Sequence, residues 1–172
     1  GSGAIALSIA HHAPSTQVFG VDVSGDALKW AARNMRRFAL QDRVVLLTGD
    51  LAEPLSEPID VLCANLPYVP TDDYEGLPAE IRASEPQIAV EGGTTGIELI
   101  ARLADQLAAH LAADCAAAIF ELGAGQAGFV EDLVTTALTR AGRGPLDVRV
   151  HRDLRGIRRV VEVRYGYPAT EA

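Results

Sequence analysis

The sequence has 172 residues, about the size of one domain, and 48% of them are hydrophobic, which is typical of a globular chain and excludes a disordered one. No apolar run approaches the roughly 18 residues of a membrane span, nothing at the start resembles a signal peptide, and a net charge of −8 does not favour a surface that grips phosphates. We therefore expect a cytoplasmic monomer with one domain over 1–172, and neither a membrane nor a nucleic-acid partner.

Hydrophobic periodicity and turn residues predict helices and strands that alternate along most of the chain. In chain order, the predicted elements are a helix at 3–12, a strand at 17–24, a helix at 25–39, strands at 43–50 and 59–65, a loop at 70–97, a helix at 96–113, a strand at 115–123, a helix at 126–142, and strands at 146–153 and 158–166. Ser24 is placed to cap the second helix, whose apolar positions extend to Phe38. The runs at 43–50 and 59–65 are almost continuously apolar, which is typical of strands buried on both faces.

This alternation predicts a doubly wound, Rossmann-like α/β fold whose sheet is mostly parallel. The last two predicted strands are joined only by the turn "LRGI", so we expect an antiparallel hairpin at the C-terminal end. The segment at 70–97 is rich in Pro, Gly and acidic residues and has weak periodicity. A structureless stretch of that length inside a domain is more often a functional loop than a linker.

The sequence opens on a glycine-rich turn, "GSGAIALSIA", although such a turn normally follows a strand. We expect that strand, the first of the sheet, to be missing together with the residues before it. The predicted strands at 17–22 and 59–64 would be its neighbours.

The two cysteines do not suggest a metal site. Cys63 and Cys115 each lie inside an apolar segment, without the spacing of metal ligands. We expect both to be buried, reduced thiols that pack as small hydrophobes, and we expect no metal cofactor.

Ligands of doubly wound sheets bind beyond the C-terminal ends of the strands, and several candidate residues fall there. Gly1, Ser2 and Gly3 precede a helix, where glycines let the backbone approach a ligand. Asp22 follows Gly3 by 19 residues, close to the roughly 20-residue spacing at which an acid accepts hydrogen bonds from ribose hydroxyls. The pattern fits a nicotinamide dinucleotide equally well, and it also fits a tight turn followed by a helix-capping acid.

Three more residues border this candidate cofactor site. Val23 comes directly after Asp22, Asp50 ends the predicted strand at 43–50, and Leu51 follows it. We expect all three to contact a cofactor. Asp50 can equally be a turn residue at a strand end, and Leu51 can equally belong to the core.

The most informative motif lies in "CANLPYVP" at 63–70, where a predicted buried strand ends in Asn65-Leu66-Pro67-Tyr68. Pro67 has no backbone N–H and restricts Leu66 to an extended conformation. The Leu66 carbonyl and the Asn65 side chain therefore offer two acceptors that can converge on a planar NH₂ group, and Tyr68 offers a flat face for packing. Many Asn-x-Pro-Tyr strings are ordinary turns, but the end of a buried strand in this fold favours a substrate site.

The chemistry that such a site supports is methylation of a weakly nucleophilic nitrogen. The lone pair of an amide or exocyclic nitrogen is delocalised, and holding both N–H bonds in line with an electrophilic methyl group favours attack by positioning and electrostatics. No strong base is needed, because the nitrogen becomes acidic once it is methylated. We expect Asn65, Pro67 and Tyr68 to be catalytic, and Asn65 also to contact the cofactor.

These motifs resemble those of class I S-adenosylmethionine-dependent methyltransferases, and within them the HemK/PrmC family, which methylates a release-factor glutamine. The resemblance covers nearly the whole chain, in "GSGAIALSIA", "VFGVDVSGDALKWAARN", "DRVVLLTGDLAEPL", "ANLPYVP", "EPQIAVEGGTTGIELI", "FELGAGQ" and "RDLRGIRRVVEVRY". The middle loop and "ELGAGQ" are the most specific segments, because generic methyltransferases lack them.

The resemblance also assigns roles to the candidate residues. It implies that Gly1 and Gly3 lie under the methionine part of S-adenosylmethionine, that Asp22 holds the ribose and that Leu51 flanks the adenine. It implies that Asn65-Leu66-Pro67-Tyr68 holds the glutamine in the Gly-Gly-Gln loop of peptide chain release factors.

Two departures from the family pattern leave alternatives open. The family usually has Asn-Pro-Pro-Tyr, whereas this chain has Leu66, and Asn-Leu-Pro-Tyr is the form seen in rRNA adenine dimethyltransferases. We also expect the family's N-terminal helical domain to be missing, like the first strand. The alternatives are an adenine-N6 methyltransferase that acts on nucleic acid and a non-catalytic fragment that binds S-adenosylmethionine.

Overall fold

The computed structural model describes residues 1–167, which form helices and strands in nearly the predicted order. The elements are α1 Ala4–His12, β1 Val18–Asp22, α2 Gly25–Arg37, β2 Val44–Thr48, β3 Val61–Asn65, α3 Thr71–Tyr74, α4 Ala79–Ser84, α5 Glu98–His110, β4 Ala116–Glu121, α6 Ala127–Arg140, β5 Leu146–Arg152 and β6 Arg158–Tyr165. None of the described helices is long and apolar enough to cross a membrane.

The chain divides into two compact units, of which the first is Gly1–Ser56. In this unit β1 and β2 pair in parallel, with Val18 opposite Val44. The buried core residues there are Leu7, Ala10, Leu40 and Val44, with Val18, Met35 and Leu46 packed against them. The predicted cap is confirmed, because the Ser24 hydroxyl accepts a hydrogen bond from the Ala27 amide at 3.2 Å.

The second unit begins at Glu57 and contains a four-stranded sheet in the order β3-β4-β6-β5. β3 and β4 are parallel, whereas β6 pairs antiparallel with both β4 and β5. α6 packs against β6 and against α5. α5 buries Ile100, Leu103, Ala104 and Leu107, at helical spacing. The mostly parallel character of the fold and its C-terminal antiparallel hairpin are confirmed.

Two expectations about burial were wrong, one for β2 and one for β3. β2 and β3 are not buried on both faces, because Val45 is 44% exposed and Val61 is 49% exposed. In β2 the alternation of side chains sends Val44 and Leu46 into the core and Val45 to the other face. Phe38 lies beyond the end of α2 and is 54% exposed.

The predicted loop at 70–97 is not structureless. It contains α3, α4 and a single 3₁₀ turn at Gln87–Ala89, and a proline occupies the N-cap position of each. Most of its side chains from 71 to 89 are exposed. The segment is a chain of short turns, which are too brief to produce a periodic hydrophobic pattern.

The described strands form two sheets, β1-β2 and β3-β4-β6-β5. Within residues 1–167, β1 pairs only with β2, and β3 pairs only with β4. The expectation of one domain over 1–172 stays a prediction. Cys63 and Cys115 are free thiols as expected, but both are half-buried where full burial was expected.

Candidate functional site

The glycine-rich turn before α1 is shaped by local packing. Gly3 has a left-handed backbone with φ of +80°, and a Cβ there would lie 3.1 Å from the Cβ of Ala31 and 3.2 Å from Leu7. A Cβ at Gly1 would meet no atom within 4 Å. Gly3 is therefore required by the turn and by its contact with α2, whereas the structure gives no steric reason for glycine at position 1.

The carboxylate of Asp22, at the end of β1, is held in a fixed orientation. Its Oδ1 accepts a hydrogen bond from the Ser24 amide at 2.8 Å, and its Oδ2 contacts the backbone nitrogen of Gly1. The side chain of Asn34 donates to the Ser2 carbonyl at 3.0 Å, which ties the same turn to α2. The structure thus places Asp22 beside the glycine-rich turn, and the role of these residues in binding a cofactor stays a prediction.

The remaining candidates of this unit lie at the same edge of the β1-β2 pair. The Gly49 amide donates to the Asp22 carbonyl at 3.2 Å. Asp50 and Leu51 are half-buried and Val23 is 57% exposed. Leu51 has a left-handed backbone with φ of +53°, a conformation that costs a non-glycine residue about 1–2 kcal/mol and concentrates at functional sites.

In the second unit, Asn65 is the last residue of β3 and is exposed. It stands opposite Glu121 in the parallel register of β3 and β4. Leu66 and Pro67 follow it and are half-buried. The motif therefore leaves the C-terminal end of a strand with its asparagine accessible, which is the placement that the sequence predicted.

Tyr68 is held at two points by residues from distant segments. The side-chain Nε2 of Gln126 donates to the Tyr68 carbonyl at 2.9 Å, and its side-chain Oε1 accepts from the backbone amide of Gly123 at 2.8 Å. Arg159 donates to the Tyr68 hydroxyl oxygen at 2.9 Å, and its guanidinium carbon lies 5.3 Å from the centre of the ring, within cation–π range. Tyr68 is thus anchored at its backbone and at its tip.

A second strip of backbone, which we term the strap (residues 90–96), runs beside the motif. The Val69 amide donates to the Val90 carbonyl at 3.0 Å, and the Gly92 amide donates back to the Val69 carbonyl at 2.9 Å. A Cβ on Gly92 would lie 2.4 Å from the Pro67 carbonyl oxygen. The strap approaches the motif so closely that only glycine fits at this position.

Gly96→Ala is expected to destabilise the protein by roughly 3 kcal/mol. The new Cβ would lie 2.2 Å from the Tyr68 carbonyl oxygen, on a backbone with φ of +78°, so overpacking and strain add. Thermal melting checks this, with Gly128→Ala as control. Gly128 lies in α6 with open space around it, and alanine there should be neutral or slightly stabilising. Equal melting temperatures for the two variants would contradict the close approach.

Glu98, at the start of α5, closes the C-terminal end of the strap. Its two carboxylate oxygens accept hydrogen bonds from the amides of Thr95 at 2.8 Å and Ile97 at 3.0 Å. The bond from the Thr95 amide is the main cause that lowers the pKa of Glu98 below its ordinary 4.5. The ionised carboxylate therefore stabilises the folded chain above pH 4.5.

Glu98→Gln should lower the melting temperature at pH 7 by a few degrees, because an amide has only one acceptor oxygen for the two backbone donors. Because the pKa of Glu98 is lower in the folded chain than in the unfolded chain, its ionised form stabilises the fold fully above about pH 4.5. This stabilisation is lost as the pH falls through the pKa of the folded chain. The difference between wild type and variant should therefore shrink below pH 4.5. Melting curves measured from pH 3 to pH 7 check this, and a difference that stays constant with pH would assign it to packing.

Several residues around the motif were not singled out from the sequence. Gln126 and Arg159 lie in "FELGAGQ" and "RDLRGIRRVVEVRY", which resemble family segments but gave no residue a role. The glycines of the strap were a usable signal, since a dense run of glycine in a loop often marks close backbone approach. Within residues 1–167, no three His, Cys, Asp or Glu side chains are grouped so that they could bind a metal.

Comparison with curated proteins finds glutamine methyltransferases. The chain is 43% identical over 134 residues to the release factor glutamine methyltransferase of Moorella thermoacetica, which covers 77% of this chain and 47% of that protein. It is 37% identical over 166 residues to that of Rhodopirellula baltica (95% and 54%). It is 43% identical over 115 residues to the ribosomal protein uL3 glutamine methyltransferase of Bordetella pertussis (66% and 38%). The chain spans about half the length of the first two relatives and 38% of the third, and no protein-family model matches it.

Comparison with solved structures finds the methyltransferase fold. The METTL16 methyltransferase domain aligns with 98% of this chain and 71% of its own, at 16% identity and a TM-score of 0.62. SMU.1697c from Streptococcus mutans, in complex with SAH, aligns with 87% of this chain and 76% of its own, at 17% identity and a TM-score of 0.53. Identities this low bear on the fold alone, which is the class I methyltransferase fold. The relatives in sequence confirm the resemblance of this chain to the release factor and ribosomal protein uL3 glutamine methyltransferases.

Proposed function

We propose that the protein transfers a methyl group from S-adenosylmethionine to the side-chain nitrogen of the glutamine in the Gly-Gly-Gln loop of peptide chain release factors, as a cytoplasmic monomer. The observation that carries the proposal is the packing around Asn65-Leu66-Pro67-Tyr68. The strap and Gln126, both from the family-specific segments, hold this motif in place. The names of relatives that are 37–43% identical support the same reaction.

The first unit carries the residues that fit the cofactor. The Asp22 carboxylate keeps a constant orientation because the Ser24 amide holds one oxygen, which suits an acceptor for two ribose hydroxyls. The left-handed turn at Gly3 leads the backbone into α1 without a side chain, and Leu51, half-buried and left-handed, suits the flank of an adenine ring. S-adenosylmethionine, when bound, supplies an electrophilic methyl group.

The second unit carries the residues that fit the substrate. The exposed Asn65 side chain and the Leu66 carbonyl accept hydrogen bonds from the two N–H groups of the glutamine amide, which fixes the direction of the nitrogen lone pair. Pro67 limits the conformations of Leu66, and the Tyr68 ring packs against the planar amide. The acceptors also stabilise the positive charge that develops on nitrogen, and the proton leaves afterwards to solvent.

Leu66→Pro is expected to keep the methyl-transfer rate within about twofold, because the role proposed for this residue is that of a backbone carbonyl, which proline retains. A proline at 66 requires an extended residue before it, and Asn65 already has that conformation in β3. The matched opposite is Pro67→Gly, which releases Leu66 and should slow transfer without changing cofactor affinity. A folded but inactive Leu66→Pro enzyme would mean that the leucine side chain itself contacts the substrate.

The proposal is tested by the initial rate of labelled methyl transfer to three purified acceptors. These are a release factor with its Gly-Gly-Gln loop intact, the same factor with alanine in place of the glutamine, and ribosomal protein uL3, which a relative's name raises as a second acceptor. We expect transfer to the intact factor, none to the alanine form and a lower rate on uL3. Equal rates on the intact and alanine forms would refute the proposed acceptor.

A further inference from the structure

The environment of Tyr68 contains two side chains that the proposed reaction does not yet use. Gln126 and Arg159 lie 58 and 91 residues away from it in sequence, yet both bond to it directly. Both are half-buried, and neither belongs to the acceptor pair formed by Asn65 and Leu66. Two side chains from distant parts of the sequence thus fix the position of one residue, Tyr68, which suggests that this position is important for the site.

Gln126 uses both ends of its amide to join three segments. Nε2 donates to the Tyr68 carbonyl at 2.9 Å and lies 3.4 Å from the Gly96 carbonyl, and Oε1 accepts from the Gly123 amide at 2.8 Å. The motif, the strap and the turn after β4 therefore meet at one side chain. A Cβ on Gly123 would lie 2.8 Å from this Oε1 and 3.2 Å from the Tyr68 ring, so the junction is closely packed.

Arg159 holds the other end of the same residue. Its Nη2 donates to the Tyr68 hydroxyl oxygen at 2.9 Å, and its charge lies within cation–π range of the ring. Arg159 projects from β6, where its own carbonyl accepts from the Leu122 amide at 2.9 Å, so its backbone is fixed by the sheet. A guanidinium on a rigid strand restricts the two side-chain torsions of Tyr68.

We propose that Gln126 and Arg159 are positioning residues, which hold the backbone and the ring of Tyr68 in the geometry that methyl transfer requires. The inference rests on the proposed function. Neither side chain needs to touch the substrate: Gln126 sets the path of the backbone after Pro67, and Arg159 sets the plane of the ring against which the amide packs. Because misplacing a reacting group by about 1 Å can slow a reaction about 100-fold, losing either contact slows the chemical step more than it weakens binding.

The kinetic test uses variants that remove each contact with little change in size. Gln126→Met removes all three side-chain hydrogen bonds, whereas Gln126→Glu keeps an acceptor for Gly123 and puts an oxygen against the Tyr68 carbonyl. We expect both to lower kcat at least tenfold, with the KM for S-adenosylmethionine within twofold of wild type. Arg159→Met should lower kcat similarly, and Arg159→Lys should recover part of the loss. Arg158→Met, at an exposed neighbouring position, should leave kcat unchanged.

A double-mutant cycle separates positioning from general structural support. If Arg159 acts through the Tyr68 hydroxyl, Arg159→Met should cost little further activity in a Tyr68→Phe background. Full additivity of the two losses, or a fall in kcat that only follows a fall in melting temperature across the variants, would overturn the inference.

A spectroscopic measurement keeps this inference distinct from the proposed function. The chain has four tyrosines, so ring-labelled tyrosine gives few signals, and Tyr68→Phe identifies the one from Tyr68. Arg159→Met and Gln126→Met should shift or broaden that signal, while Arg158→Met should not. If these spectral changes are seen but the wild type transfers no methyl group, the positioning of Tyr68 by Gln126 and Arg159 is upheld and the proposed reaction is refuted. An unchanged Tyr68 signal in both variants would refute the positioning of Tyr68 by Gln126 and Arg159, whatever the activity.

Discussion

Asn65→Ala is expected to lower kcat for methyl transfer to a release factor by about 10²–10³-fold, while S-adenosylmethionine affinity changes by no more than a few fold. The Asn65 side chain is exposed at the end of β3, where it can accept a hydrogen bond from the glutamine amide. That bond strengthens as positive charge develops on the nitrogen, so its loss raises the barrier by about 3–4 kcal/mol, as deletion of an oxyanion-hole donor does. Single-turnover kinetics with saturating cofactor measure the chemical step directly.

The control for this variant is its fold and its cofactor affinity. Because the side chain of Asn65 is exposed and no described hydrogen bond uses it, the melting temperature should stay within a degree or two of wild type. A turnover within threefold of wild type would remove Asn65 from the catalytic role. A loss of cofactor affinity as large as the loss of rate would instead make Asn65 mainly a cofactor ligand.

Asp22→Asn is expected to act in the opposite way, weakening S-adenosylmethionine binding by about 10- to 150-fold with a small effect on kcat at saturation. The lost charged hydrogen bonds to the ribose are worth about 1.5–3 kcal/mol. Asparagine is preferable to alanine because its amide oxygen still accepts the bond from Ser24 that Asp22 Oδ1 receives at 2.8 Å. Calorimetric titration of Asp22→Asn with S-adenosylmethionine therefore measures the loss of the ribose contact, because the turn at Ser24 keeps its hydrogen bond.

Asp26→Asn is the matched control for this charge. Asp26 lies on α2 four positions further along the chain, its side chain is 87% exposed and it pairs with Lys29. Its replacement should leave cofactor affinity unchanged. An unchanged affinity in Asp22→Asn would refute the ribose assignment, and tighter binding of a nicotinamide dinucleotide than of S-adenosylmethionine would refute the choice of cofactor.

Most of the fold could be predicted because its signals are local. α5 carries apolar residues at the spacing of one helical face, and β5 and β6 are separated by a turn too short for any connection but a hairpin. The exposure of Val45 and Val61 could not be predicted in the same way. An apolar run identifies a strand, but which faces are covered depends on elements elsewhere in the chain.

In the candidate site, too, local features could be predicted from the sequence and long-range contacts could not. The positions of Asp22 and Asn65 at strand ends could be predicted from the sequence, because each ends an apolar run, and their roles in binding stay predictions. The contacts that hold Tyr68 could not be predicted, because they come from Gln126 and Arg159, which lie 58 and 91 residues away in sequence. No periodicity or spacing encodes such a contact, and only the folded chain brings these side chains together.

The most direct test of the central claim is tandem mass spectrometry of the methylated product. The purified protein is incubated with S-adenosylmethionine, a release factor and ribosomal RNA, and both macromolecules are then digested and sequenced for added methyl groups. We expect one methyl group on the side-chain nitrogen of the Gly-Gly-Gln glutamine and none on RNA. An unmodified glutamine together with methylation of an adenine N6 or of another release-factor residue would contradict the account.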